Sequence, residues 1–130
     1  MKNLFDVKGH VVVITGGTGV LGRAIAKYLA EQGAKIAILG RKENVGNAIV
    51  EDIKQNGGEA SFYKTDVMNK EKLIKNREDI LSKYGRIDSL LNAAGGNMKG
   101  ATIGPDQNFF DLDPAQFQTV LNLNLTGTVI

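Results

Sequence analysis

Val11-Val12-Val13-Ile14-Thr15-Gly16-Gly17-Thr18-Gly19-Val20-Leu21-Gly22 is the stretch on which the fold turns. Four β-branched residues in a row, closed by Thr15, have the pattern of a strand buried on both faces of a parallel sheet. A helix is expected over residues 21–32, because Leu21, Ile25, Tyr28 and Leu29 recur at helical spacing. These four are expected to face the core, and Gly33 supplies the stop. Between strand and helix, Gly17, Gly19 and Gly22 satisfy G-x-G-x-x-G. That spacing is weak alone, but a strand before it and a helix after it give it meaning. Glycines there let the backbone turn sharply and approach a pyrophosphate at the helix N-terminus. Bare positions at Gly17 and Gly19 are expected to leave room for the phosphates. The competing reading is a plain tight turn in which Gly22 packs on the sheet.

The alternation continues outward from this turn. Residues 35–39 and 60–64 read as second and third strands. Between them a helix is marked by Val45, Ile49 and Ile53 and closed by Gly57-Gly58. Leu73, Ile74, Arg77, Ile80, Leu81 and Tyr84 space a third helix ending at Gly85, and residues 87–91 read as a fourth strand. Residues 93–113 form a long loop. Asp113-Pro114 then has the form of an N-cap with first-turn proline, opening a last helix with Phe117, Val120 and Leu121 inward. Right-handed crossovers turn this order into an α/β, three-layer, doubly wound Rossmann-type parallel sheet of about four strands, order 3-2-1-4.

The chain has 130 residues, 42% of them hydrophobic, which fits one core and no second domain. Sixteen basic residues against 14 acidic ones leave a formal charge of +2 with no basic block, so nothing favours nucleic acid or an acidic membrane as partner. Cysteine is absent and His10 is the only histidine, which excludes disulfide scaffolds, thiolate zinc and multi-histidine metal sites. No metal is expected. With no apolar leader and no long apolar run, the default compartment is the cytoplasm.

Ligands of such sheets bind outside the carboxyl ends of the strands. Where a ribose-binding acid is usual, after the second strand, Gly40-Arg41-Lys42 stands instead. Arg41 suits a bidentate pairing with a 2′-phosphate, so NADP(H) is favoured over NAD(H). An ordinary solvated helix start, with NAD(H) held by backbone groups, is the alternative. Asp66 falls at the same edge, as ligand contact or as turn cap. Ala93, Ala94, Gly95 and Gly96 are small enough to let a flat cofactor lie against the backbone, or else form a flexible strand exit. Asn124 falls on the apolar side of the last helix, four positions from Val120 and three from Leu121. It is expected to be a buried amide with bonded partners.

These residues resemble the short-chain dehydrogenase/reductase family. Thr15 to Gly22 is similar to its T-G-x-x-x-G-x-G turn, with Val20 in place of the middle glycine. Asp66-Val67 resembles its adenine-contacting pair. Asn92-Ala93-Ala94-Gly95 is similar to its N-N-A-G segment, with Ala93 for the second asparagine. Asn124-Leu125-Thr126-Gly127 resembles the segment carrying its structural and proton-relay asparagine. The resemblance therefore implies a cofactor site of Gly16, Gly17, Thr18, Gly19, Val20, Leu21, Gly22, Asp66, Val67, Asn92, Ala93, Ala94 and Gly95, which Arg41 joins by its position and charge, with Asn124 as the catalytic residue present.

The family's acid/base work also needs Tyr-x-x-x-Lys and a serine. Tyr28, Tyr63 and Tyr84 are followed four positions on by Gln32, Val67 and Asp88, and every serine precedes the end of the fourth strand. By length and motif order, residues 1–130 read as the N-terminal NAD(P)-binding half-domain of an oxidoreductase about twice as long. Such a protein acts on a small carbonyl or alcohol and, by the resemblance, assembles as a homotetramer. The loop from Gly95 to Asp113 is similar to the sugar-acid subgroup of the fructuronate reductase and mannonate dehydrogenase type, in which Lys99 would meet a carboxylate. A 3-oxoacyl or steroid-type reductase, or a nucleotide-sensing module without catalysis, are the other readings.

Overall fold

β1, Val11–Thr15, has parallel neighbours on both sides, and all five of its residues are buried. β2, Lys35–Gly40, pairs with it on one side and β4, Ser89–Asn92, on the other, while β3, Glu59–Lys64, lies outside β2. The sheet order is β3-β2-β1-β4, the expected 3-2-1-4. The computed structural model describes residues 3–130.

Helices cover both faces of the sheet. On one, Val12, Ile14, Ile36 and Ile38 pack against Ala26 and Ala30 of α1, Val20–Glu31, and against Ile49, Val50 and Ile53 of α2, Glu43–Gln55. On the other, Val11, Val13, Ala37 and Leu39 meet Ile80 of α3, Lys70–Tyr84. Asn69 caps α3 by accepting the Lys72 N–H at 2.9 Å. Asp113 caps α4, Pro114–Leu121, with Pro114 at its first position as expected. The segment between β4 and α4 is not plain loop. It holds two 3₁₀ turns, Lys99–Ala101 and Phe109–Asp111, the second closed by a reciprocal Asn108–Asp111 capping box.

Three expectations need correction. The face α1 turns to the sheet is Gly22, Ala26 and Ala30, not Leu21, Ile25 and Tyr28; Leu21 is 75% exposed and Tyr28 62%. The start of the helix lies against the glycine turn, its fully buried positions carry only small residues, and of the four expected inward residues Leu29 packs on the core, partly buried. A Cβ on Gly22 would lie 2.5 Å from the Gly16 carbonyl oxygen. Phe117 and Leu121, expected inward, are likewise exposed. β4 starts two residues later than expected, since the Asp88 carboxylate, rather than a backbone carbonyl, takes the Val11 N–H at 2.8 Å.

Candidate functional site

The carboxyl ends of all four strands open on one cleft of about 240 Å³. Gly16, Thr18 and Gly19 line it from the β1–α1 turn, Leu39 to Lys42 from the end of β2, Thr65 to Val67 from β3, Ala93 to Gly95 from β4, and Leu123 from the last helix.

Each wall follows from local chemistry. Gly16 has φ +65°, and a Cβ on it would sit 2.5 Å from the Ala93 carbonyl oxygen, so only glycine lets β1's exit lie against β4's. The Thr15 hydroxyl reinforces this contact by accepting the Ala94 N–H at 3.2 Å. Gly19 is the N-cap of α1, and a Cβ there would meet just the Gly16 carbonyl oxygen, at 3.2 Å. Gly17 behaves differently: its missing Cβ would lie 2.8 Å from the Ile38 side chain. Its bareness lets the turn pack on the sheet, and of the two glycines Gly19 lines the cleft.

Val20 and Leu21 begin α1 with their side chains in solvent, and a helical backbone at position 20 accepts valine without strain. Gly22 packs under the turn. Asn92 faces a second, apolar groove with Val13, Leu73, Ile80 and Leu90. Asp66 lines the cleft, and its Oδ1 accepts the Met68 N–H at 2.9 Å, the turn-capping reading, which closes the turn into α3. Arg41 is exposed at the rim and makes no ion pair among the described residues.

Asn124 is not the buried amide expected. It is exposed, in a π-helical turn, Asn122–Thr126, that continues α4. Its partners are all made nonetheless: Nδ2 donates to the Gly96 and Val120 carbonyls at 2.8 Å each, and Oδ1 accepts the Gly96 N–H at 3.2 Å. Leu39, Gly40, Lys42, Thr65 and Leu123 join the cleft without having been singled out as site residues. Gly40 carried a signal, since a Cβ on it would lie 2.8 Å from the Thr18 side chain. Leu123 carried none, because it arrives from a distant part of the chain.

The cleft offers helix ends without side-chain caps, a guanidinium and small-residue backbone, and a Cβ on Gly19 would meet only the Gly16 carbonyl oxygen and otherwise open space; a phosphate-bearing dinucleotide fits such a donor set. Tyr84, half-buried, lies outside the cleft with its hydroxyl 2.8 Å from Ser61 Oγ, and burial pushes it above the ordinary tyrosine range. Among the described residues no cluster of potential metal ligands occurs, and no helix is long and apolar enough to cross a membrane.

Sheet order, glycine turn and edge cleft together define a doubly wound nucleotide-binding fold. The short chain dehydrogenase family model matches residues 10–130, and the chain belongs to that family. The uncharacterized oxidoreductase UxuB of Bacillus subtilis (strain 168) is 41% identical over 133 residues, covering 96% of this chain and 48% of that protein. A candidate D-mannonate oxidoreductase from Haemophilus influenza, with bound NAD, superposes with a TM-score of 0.86 at 34% identity over 95% of this chain and 48% of its own. A metagenomic short-chain oxidoreductase in complex with NADP superposes at 0.81 and 28% identity, over 95% and 53%. The chain spans about half the length of the curated relatives it matches.

Proposed function

We propose that this chain is the N-terminal, cofactor-binding half of an NAD(P)-dependent oxidoreductase acting on a small carbonyl or alcohol. One observation carries the reading. α3 and α4 are capped by their own Asn69 and Asp113 side chains, whereas α1 and α2 have no side-chain cap, and their N-cap residues, Gly19 and Lys42, both line the cleft. Free N–H groups and the positive ends of two helices thus converge where an anion would lie.

In this reading Thr18 and Gly19 hold a pyrophosphate, Asp66 and Val67 the adenine, and Ala93, Ala94 and Gly95 the nicotinamide end. Arg41, with Lys42, pairs with a 2′-phosphate, which favours NADP(H); the NAD-bound relative supports NAD(H) as the alternative. When bound, the nicotinamide supplies the hydride chemistry, and the protein supplies orientation and electrostatics. Asn124 orders the segment beside the site and takes part in proton delivery in the longer protein, which by family resemblance is a homotetramer. A sugar acid is the substrate class we favour. Lys99 stands in a 3₁₀ turn fastened to α4, with Gln116 Oε1 accepting the Gly100 N–H at 2.9 Å and the Gly100 carbonyl accepting the Asp113 N–H at 2.8 Å. The D-mannonate relative points the same way.

Calorimetric titration with NADP⁺ and NAD⁺ tests the reading. Binding is expected, tighter for NADP⁺, and turnover by the 130-residue chain is not, because loss of a general acid/base alone costs about 10²–10⁴ in rate. Failure to bind either cofactor would refute the assignment.

A further inference from the structure

Thr65, at the cleft, and Asn76 of α3 form a polar pair, 4% and 2% exposed, where β3 ends against α3. The other fully buried residue of α3 is Ile80, one turn on, so helical patterning alone would put an aliphatic side chain at position 76. An amide at that depth is costly unless bonded. Its Nδ2 donates to Thr65 Oγ1, and that hydroxyl in turn donates to the Tyr63 carbonyl at 2.9 Å. The Thr65 backbone N–H donates to the Gly40 carbonyl at 2.8 Å. One threonine thereby fastens the end of β2, the end of β3 and the middle of α3.

Both segments that leave this knot line the cleft. Gly40 leads into Arg41 and Lys42, and Thr65 leads into Asp66 and Val67. Asn76 is not among the lining residues. Its donor occupies an acceptor site on the Thr65 oxygen and so directs the hydroxyl proton toward Tyr63. A rotor that would otherwise be loose becomes a fixed link, and bonds in such a chain polarise one another. Walls fixed before binding lower the ordering cost of binding.

We propose that Asn76 is a positioning residue for the adenosine end of the cleft. Acting through the Thr65 hydroxyl, it sets the spacing between the Gly40-Arg41-Lys42 wall and the Asp66-Val67 wall, and with it the affinity for an adenosine nucleotide. The inference rests on reading the cleft as a nucleotide site.

The test is calorimetric titration of the 130-residue chain with 2′,5′-ADP and with AMP, well below the melting temperature, with circular dichroism to verify folding. The unaltered chain binds at least one of the two. Asn76→Leu and Thr65→Val, the latter keeping shape but losing the hydroxyl, each weaken binding about tenfold, the scale of ordering one loosened wall group at the moment of binding. Thr65→Ser keeps the hydroxyl, and with it the fixed link, and stays within about twofold of the unaltered chain on the same argument. In the Thr65→Val background Asn76→Leu adds little, because its route is already gone. A purely structural role would lower the melting temperature and leave low-temperature affinity alone. Wild-type affinity in folded Asn76→Leu, or full additivity of the two changes, overturns the proposal and leaves the nucleotide site standing. No binding by the unaltered chain overturns both. Should Asn76→Leu not fold, equal affinities of Thr65→Val and Thr65→Ser overturn it.

Discussion

Asn124 and Gly96 share two hydrogen bonds, the asparagine amide donating to the Gly96 carbonyl at 2.8 Å and accepting its N–H at 3.2 Å. A side chain from the last helix thus replaces a strand partner for the backbone leaving β4. A Cβ on Gly95 would sit 2.6 Å from Asn124 Oδ1, so the neighbouring glycine is bare where the amide passes. Because Asn124 is exposed, Asn124→Leu lets the stranded groups turn to water, and the expected loss is about 1 kcal/mol, a few degrees in thermal unfolding. In the longer oxidoreductase proposed above, a part in proton delivery adds a fall in kcat with the cofactor Kd near wild type. Steady-state rates beside a fluorescence titration separate the two, and an unchanged kcat removes Asn124 from the chemistry.

Gly16 and Gly19 are expected to part company on substitution. Gly16→Ala forces an L-residue to φ +65° and drives its Cβ to 2.5 Å from Ala93 backbone, which cannot yield without moving β4. A loss above about 2 kcal/mol follows. Gly19→Ala meets a single oxygen at 3.2 Å, so stability should stay within about 1 kcal/mol. Its methyl group nevertheless enters the cleft and should weaken nucleotide binding. Urea melts and titrations of both variants check this; a Gly16→Ala chain as stable as the parent would contradict it.

The sheet was legible because β1 and β2 are buried on both faces, and such strands read as unbroken aliphatic runs whatever surrounds them. The glycine turn was legible for the same local reason, with strand before and helix after. The inward face of α1 was not. Leu21, Ile25 and Tyr28 have the better amphipathic pattern, yet with Gly22 pressed against the turn the fully buried positions of the helix are Ala26 and Ala30, with Leu29 partly buried beside them. Of the site, Gly16, Thr18, Gly19, Arg41, Asp66, Val67 and Ala93 to Gly95 were named from motifs and do line the cleft. Thr65 and Leu123 were not, because their places depend on β3 register and on a helix returning from far along the chain.

Arg41→Asp removes a candidate phosphate partner and adds a carboxylate that suits a ribose diol. In the longer oxidoreductase proposed above, the ratio of kcat/KM for NADP(H) over NAD(H) should fall by roughly 10- to 100-fold, the scale of one charge-assisted hydrogen bond. An unchanged ratio means that Arg41 does not face the 2′-phosphate.

Acid should loosen two carboxylate anchors. Asp113 is held below the ordinary carboxylate range first by the Ala115 N–H and then by Gln116, and Asp88 first by Arg86 and then by the Val11 N–H. Groups with lowered folded values contribute stability that is present above the unfolded value and is lost as pH falls through the folded one. Both contributions should therefore fade below about pH 4, the ordinary carboxylate value. In Asp113→Asn, which cannot titrate, part of that acid dependence should vanish; identical acid unfolding curves for variant and parent would show that the α4 cap is immaterial.

Self-association is the outcome expected from β4. It pairs with β1 on one side, so its other edge presents unpaired N–H and C=O groups among the described residues. Leu90 on this strand is 58% exposed beside the apolar groove of Val13, Leu73 and Ile80, and Phe117 and Leu121 of α4 are uncovered too. Open edges template intermolecular pairing, and contiguous apolar surface adds a driving force proportional to its area. Sedimentation at tens of micromolar, the range in which such exposed surfaces aggregate, should show species larger than monomer. Leu90→Lys places a charge on the same strand, leaves the β1 pairing intact and should shift the population toward monomer. A compact monomer from the unaltered chain at that concentration would mean that the four-stranded sheet tolerates its open edge, and neither groove nor edge would then require a partner.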